Sequence, residues 1–330
     1  MHGAGVAAFL KGDPVPTYNS IISRDASNDP LVPTPVSADI IQELPAMSAL
    51  LQRAAKAPMS SKTQRQPVLD VMPLAYFVGG DTGLKQTSAQ DWKNVDLVAE
   101  EMAAIVPIPE AYLDDAQMPI WDQVRPRLVE ALGALLDGAG LFGINKPSTW
   151  STDIYSSAVA AGNVTISGTG DDFAQDVAVV AEKVAQDGFA VNGFMSRPGL
   201  TWKLNGLRST DGIPIYQPNL QGQPGGTLYG YPMSELTNGA WDTSEAELLM
   251  GDWRKAIVGV RQDISFKLFT EGVISDDDGK VILNLMQQDS VAMRVVMRAA
   301  FATANPATRL NTNSATRSPF GVVQSTTAAS

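Results

Sequence analysis

The chain has 330 residues, 44% of them hydrophobic, and carries 24 basic against 35 acidic side chains for a net charge of −11. With no cysteine and a single histidine, His2, it lacks disulfides, thiolate nucleophiles and the common zinc motifs, and it is poorly equipped for Ser-His-Asp or histidine-ligated metal chemistry. Lys and Arg form no cluster of the kind a dedicated nucleic-acid binder needs, no apolar run approaches the roughly 18 residues of a membrane helix, and 6–10 is too short for a secretory core, so we expect a protein cytosolic when made.

The size predicts about two domains, or one with large excursions. Residues 1–36, with Pro14, Pro16, Pro30, Pro33 and Pro35, read as an extended arm without a core of its own. Ser37 can cap a helix carrying Ile40, Ile41 and Leu44, with Met47, Leu50 and Leu51 continuing its apolar face beyond Pro45. An arm and helix with so little beneath them must find a partner elsewhere. Val68, Val71, Leu74, Tyr76, Phe77 and Val78 then suggest a strand, and Trp92 to Ile108 a returning one. Between them lies a polar tip over 79–94, with Gly79, Gly80, Asp81 and Gly83 at its turn and Lys85 and Lys93 beside it. A two-stranded ribbon is marginal in water by itself.

The strongest helical signal covers 119–136. Ile120, Val124, Leu128, Leu132 and Leu135/Leu136 recur every three to four residues, and Asp122, Arg125, Arg127, Glu130 and Asp137 fall on the other face. Pro119 suits the first turn, and Pro126 inside the helix predicts a bend. Residues 144–170 read as loop with a short strand near Val164. A capped helix follows, with Phe173, Val177, Val180 and Val184 on one face and Gly188 at its end. Short elements are expected at 189–195, 198–207 and 227–233, with an Asp211-Gly212 turn between the last two. From Leu248 onward the pattern is mostly strand, with alternation through Ile264, Phe266 and Leu268 and again from Val291 to Phe301. Asp276, Asp277, Asp278 and Lys280 make the turn between these runs, and 303–330 reads as an extended or mobile tail.

The search for chemistry returns nothing. Gly138, Gly140 and Gly143 match the dinucleotide fingerprint in letters but follow a helix instead of preceding one, so they read as a helix exit and sharp turn. The consecutive acids at 276–278 lack the alternating spacing of a calcium loop and read as a solvated turn. Glu100-Glu101 and Asp114-Asp115 do not stand apart from surface charge. No cofactor and no metal site are expected.

The order of these pieces resembles the major capsid proteins of tailed double-stranded DNA bacteriophages, whose Hong Kong phage fold is shared with encapsulins and herpesvirus capsid floors. The resemblance spans about 37–310. Ile40 to Leu51 looks like the N-arm helix and Val68 to Asp96 like the E-loop hairpin. Pro107 to Asp115 looks like the lead into the spine helix, and Ile120 to Leu136 like the spine itself. Phe194-Met195, Trp202, Leu204, Leu207 and Pro214 are similar to the A-domain, as is Tyr229 to Met233. Met250 to Trp253 resembles the return to the P-domain sheet, and Arg294 to Phe301 its final strand.

The resemblance implies an α+β fold divided as N-terminal arm 1–60, E-loop 61–95, P-domain with spine 96–145, A-domain 146–250, P-domain sheet return 251–310 and C-terminal tail 311–330. It implies a structural protein and not an enzyme, self-assembling into pentamers and hexamers of an icosahedral head. The partners implied are portal and scaffolding proteins and, non-specifically, packaged double-stranded DNA, with no membrane. The location implied is the virion, after assembly in the host cytoplasm. With few residues before Ser37, a separate scaffold is expected, or else a numbering that begins after a cleavage. No Lys–Asn cross-link from Lys85 or Lys93 is expected, since no Asn partner and Glu can be aligned. The alternatives are an encapsulin-type shell storing cargo enzymes and, in another class, a cytosolic carboxylate-using hydrolase.

Overall fold

A computed structural model describes residues 48–79, 83–116, 118–170, 172–206, 226–276 and 278–327. Gly80, Asp81, Asp277, the arm and its helix up to Met47, and the stretch holding Leu207, Asp211-Gly212 and Pro214 lie outside the described residues.

The helices are α1 (Ala49–Arg53), α2 (Glu110–Asp115), α3 (Ile120–Phe142), α4 (Ile154–Ala161), α5 (Phe173–Gln186) and α6 (Leu200–Asn205). The strands of the first half are β1 (Ala55–Pro58), β2 (Thr63–Val71), β3 (Asp91–Val98), β4 (Glu100–Pro109) and β5 (Val164–Ile166). Those of the second half begin with β6 (Gly193–Ser196), β7 (Thr227–Leu228), β8 (Tyr231–Glu235) and β9 (Ala246–Gly251). They continue with β10 (Ala256–Phe269), β11 (Val273–Ser275), β12 (Val281–Asn284), β13 (Ser290–Thr303) and β14 (Phe320–Gln324).

Two sheets carry the molecule. The first has four strands in the order β1-β10-β13-β4, with β1 parallel to β10 and the other pairs antiparallel. Met293, Val295, Met297, Ala299 and Phe301 on one face of β13 join Leu128, Leu132, Leu136 and Leu141 of α3 in the main core. The alternation in β13 therefore does what it predicted on this face. Its other face, expected to be exposed, is covered too: Ala292 and Val296 are buried, and toward the end of the strand Ala300 and Ala302 meet Met59 and Leu97. The second sheet has six strands, β5-β14-β9-β6-β8-β7. Phe194, Leu248, Met250 and Val323 face α5 and α6, while Met195, Leu249, Phe320 and Val322 belong to the core shared with α3 and α4. The face predicted for α5 holds: Asp172 accepts from the Gln175 amide as its cap, and Phe173, Val177, Val180 and Val184 are buried.

Several expectations change. The returning strand is two strands. The chain turns at Ala99, so that β3 pairs with β2 and β4 leaves to pair with β13 over its whole length. Residues 144–170 contain a helix, α4, capped by Asp153, whose small Ser and Ala side chains gave no apolar stripe to read. Trp202 stands exposed, while Leu200 and Leu204 bury the face of α6. The tail reading of 303–330 fails most clearly. Phe320–Gln324 is an internal strand between β5 and β9, almost wholly buried.

The helix α3 also runs further than predicted, through Gly138 and Gly140 to Phe142, and ends on Gly143 in the left-handed conformation (φ 72°). Gly143 makes the expected exit turn, while Gly133 and Gly140 inside the helix serve close approach. A methyl group on Gly140 would meet Leu50 Cδ1 at 2.5 Å, and one on Gly133 would press on the Ser48 backbone at 3.2 Å.

Candidate assembly surfaces

Gly133, Asp137 and Gly140 lie three to four residues apart and so share one face of α3. Between the two glycines, Asp137 sits fully buried, although periodicity put it on the polar face. Its carboxylate accepts from Ser48 Oγ (2.6 Å), the Ala49 amide (2.9 Å), the Leu50 amide (3.1 Å) and Asn238 Nδ2 (2.8 Å). One acid thus caps α1, the first helix of the described chain, and ties it both to α3 and to the loop after β8. Burial pushes the Asp137 carboxyl above the usual carboxylate range, and these donors draw it partly back. Sequence reasoning missed this residue, because a buried acid at a helix end looks like any solvated one.

A second buried acid, Asp187, accepts from Asn163 Nδ2 (2.8 Å), Asn311 Nδ2 (2.7 Å) and the Ser318 amide (3.0 Å). It holds the segment leading into β14 against the end of α5. Arg317, fully buried, closes the same segment by donating to Asn305 and Asn311.

The sequence-predicted site residues fall on three surfaces. The β2–β3 hairpin is rooted by Leu97 and Ala99 against β1 and β13, and by the Ala307 amide donating to the Leu69 carbonyl (2.8 Å). Beyond Val71 regular pairing stops. Leu74, Phe77 and Leu84 stand 76%, 105% and 90% exposed and join none of the buried clusters among the described residues. Gly79, Gly83 and Lys85 lie in this tip; Lys93 lies outside it, on β3 opposite Val68. The tip is stitched internally, with the Leu74 amide donating to Ser88 Oγ (2.6 Å) and Tyr76 Oη to the Gln86 carbonyl (2.8 Å).

The second surface is the β11–β12 hairpin. Asp276 accepts from the Lys280 amide at 2.7 Å, which makes its carboxylate part of the turn, while Asp278 and Lys280 are exposed. Ile282 and Met286 beside them are 63% and 76% exposed. The third is α3 itself. Leu128 and Leu132 are buried, Ile120 and Val124 half-buried, and Pro126 lies exposed within the first third of the helix. The structure does not bring these three sets into one pocket. Exposed apolar side chains of this size on separate projections are what subunit contacts require and a lone soluble monomer avoids. Such a molecule is a structural subunit built to be covered by others.

The chain matches the Phage capsid family over residues 28–308, and it belongs to that family. It is 26% identical over 270 residues to the major capsid protein of Staphylococcus phage 80alpha, across 81% of this chain and 79% of that one. A solved structure from Microbacterium phage Oxtober96 superposes with a TM-score of 0.79 at 36% identity, covering 89% of this chain and 96% of that one. Another from Mycobacterium phage Cain gives 0.79 at 32%, covering 89% and 95%. The fold is α+β, of the Hong Kong phage capsid type. The chain is a phage capsid protein and forms shells.

Proposed function

We propose that this chain is the major subunit of the icosahedral head of a tailed double-stranded DNA phage, assembling into pentamers and hexamers. The observation that carries the reading is the β2–β3 hairpin. Its root is packed on its own subunit, and its tip carries large apolar side chains that stay exposed among the described residues. Exposed apolar area of this kind is stabilised when a neighbour covers it, and a subunit with several such contacts sums modest areas into a stable shell.

In this reading 61–95 is the E-loop, 96–145 and 251–310 form the P-domain, and 146–250 forms the A-domain, with the arm at 1–60. The tip residues Gly79, Gly80, Asp81, Gly83 and Lys85, with Lys93 on the returning strand, make contacts between subunits. Asp276, Asp277, Asp278 and Lys280 act where capsomers meet. Assembly takes place in the host cytoplasm with scaffolding and portal proteins, and the finished shell touches packaged DNA non-specifically. The net charge of −11 keeps that contact weak. The role is mechanical, with no reaction assigned. Negative-stain microscopy of the chain, purified alone and after co-expression with the other head proteins, tests it: closed shells or five- and six-membered rings are expected in at least one preparation, and a stable monomer in both overturns the reading.

A further inference from the structure

The outward face of the four-stranded sheet, opposite α3, holds an arrangement that the isolated subunit does not balance. Lys267 on β10 stands directly opposite Arg294 on β13. Like charges directly opposite across a strand pair repel. Both lean on one ring: Lys267 Nζ lies 5.0 Å and Arg294 Cζ 4.9 Å from the centre of Phe269. Among the described residues neither has a carboxylate within ion-pair distance. The nearby acid, Glu101, is taken by Arg298, which donates Nε and Nη2 to Glu101 Oε2 at 3.0 and 2.6 Å. Arg294 Nε is buried with no hydrogen-bond partner.

These groups border a hollow of about 130 Å³, lined by Glu101, Gln262, Ser265, Lys267, Arg294 and Arg298. That is several times the roughly 30 Å³ share of one water, and it suits one planar or tetrahedral oxyanion. An unneutralised pair of cations costs free energy, and an oxyanion in the hollow between them relieves that cost.

We infer that this hollow is an oxyanion site between subunits, and that its occupant is a carboxylate side chain of a second copy of the chain. The inference rests on the shell reading above and adds the acceptor surface. A second copy is favoured by charge: the chain carries 35 acidic residues and a net −11, and every shell subunit is bordered by such copies. Nucleic acid is disfavoured by shape. Double-stranded DNA is held by a run of Lys and Arg along its phosphates, whereas here the cations converge on one hollow flanked by exposed Ile105 and Pro107 on β4.

The test uses the full chain with Lys267→Gln and Arg294→Gln together, and a second variant, Lys267→Arg with Arg294→Lys, that keeps both charges. Below the assembling concentration, the neutral variant should melt at or above the wild-type temperature, because relief of the repulsion at least offsets the two cation contacts to the Phe269 ring that it loses. The concentration it needs to form shells should rise by roughly tenfold, the effect of losing one charged contact, while the charge-keeping variant stays within about threefold of wild type. A lower melting temperature of the free neutral variant, or an unchanged assembling concentration, overturns the inference. Normal empty shells that fail only on filling with DNA also overturn it, and point to a phosphate of nucleic acid as the anion. If the wild-type chain itself forms no shells, alone or with the other head proteins, the shell reading falls and this contact falls with it.

Discussion

Asp137 illustrates how a single residue can fix the relation of three segments. Its carboxylate is buried at the cost of desolvation, and the donors of Ser48, Ala49, Leu50 and Asn238 offset that cost. Asp137→Asn keeps the shape but turns one acceptor into a donor facing other donors. We expect a loss of about 3 kcal/mol in denaturant unfolding. The pH dependence has a definite sign. Burial raises the folded carboxyl above its unfolded value, so the folded chain holds this proton more tightly. The stability contributed by Asp137 is therefore full below the ordinary carboxylate range and is lost as pH rises through the raised value. The advantage of wild type over Asp137→Asn should shrink across that window. A growing advantage would mean that the four donors outweigh burial.

At the scale of elements, the proposed reading has the hairpin and α3 divide the work between neighbours and self. The β2–β3 root belongs to the subunit, so deleting residues 80–90 should leave the far-ultraviolet spectrum and melting temperature within a few degrees of wild type while shells fail to form. Loss of the folded subunit would show that the tip packs on its own chain. In α3, Pro126 removes one backbone hydrogen bond where the helix is exposed. Pro126→Ala should stabilise the isolated subunit by up to about 3 kcal/mol. Shells of unchanged size from that variant would show that the bend sets none of the curvature.

Elements also show what a sequence carries and what it hides. The α5 stripe was legible because local periodicity and burial agree there; β13 was legible as a strand but is buried on both faces, and the hairpin was legible only at its root, since Leu74, Tyr76, Phe77 and Val78, read as strand, lie exposed beyond the end of β2. The small residues of α4 hide its period. The glycines of α3 mimic an exit because close approach to Leu50 is not a local property. Met102 and Leu97 look like one strand because the change of partner at Ala99 leaves no mark in composition. The proposed assembly residues were legible as turns, and the buried acids Asp137 and Asp187 were not legible at all, since their partners come from segments distant in sequence.

At the scale of the whole molecule, function lies in how many weak surfaces one subunit presents. The β11–β12 tip, with Asp278 and Lys280 exposed, is small and far from the buried clusters, so its charge should govern how capsomers meet and not how they form. Reversing Asp276, Asp277 and Asp278 to lysine should leave five- and six-membered rings visible by microscopy and reduce closed shells at least tenfold. Disappearance of the rings as well would place this tip inside the capsomer.

The inward strand Phe320–Gln324 gives the molecule a sense of time. During synthesis β5 emerges early and waits for β14 as its only partner strand in the sheet; β9 likewise lacks one of its two neighbours. The six-stranded layer cannot close until those late residues leave the ribosome, and Asp187 cannot receive the Asn311 and Ser318 donors before then. A chain broken off anywhere before this strand is thus an unfinished brick that lacks the middle of a wall. In a population of identical parts, folding itself inspects each one for completeness before it can be laid.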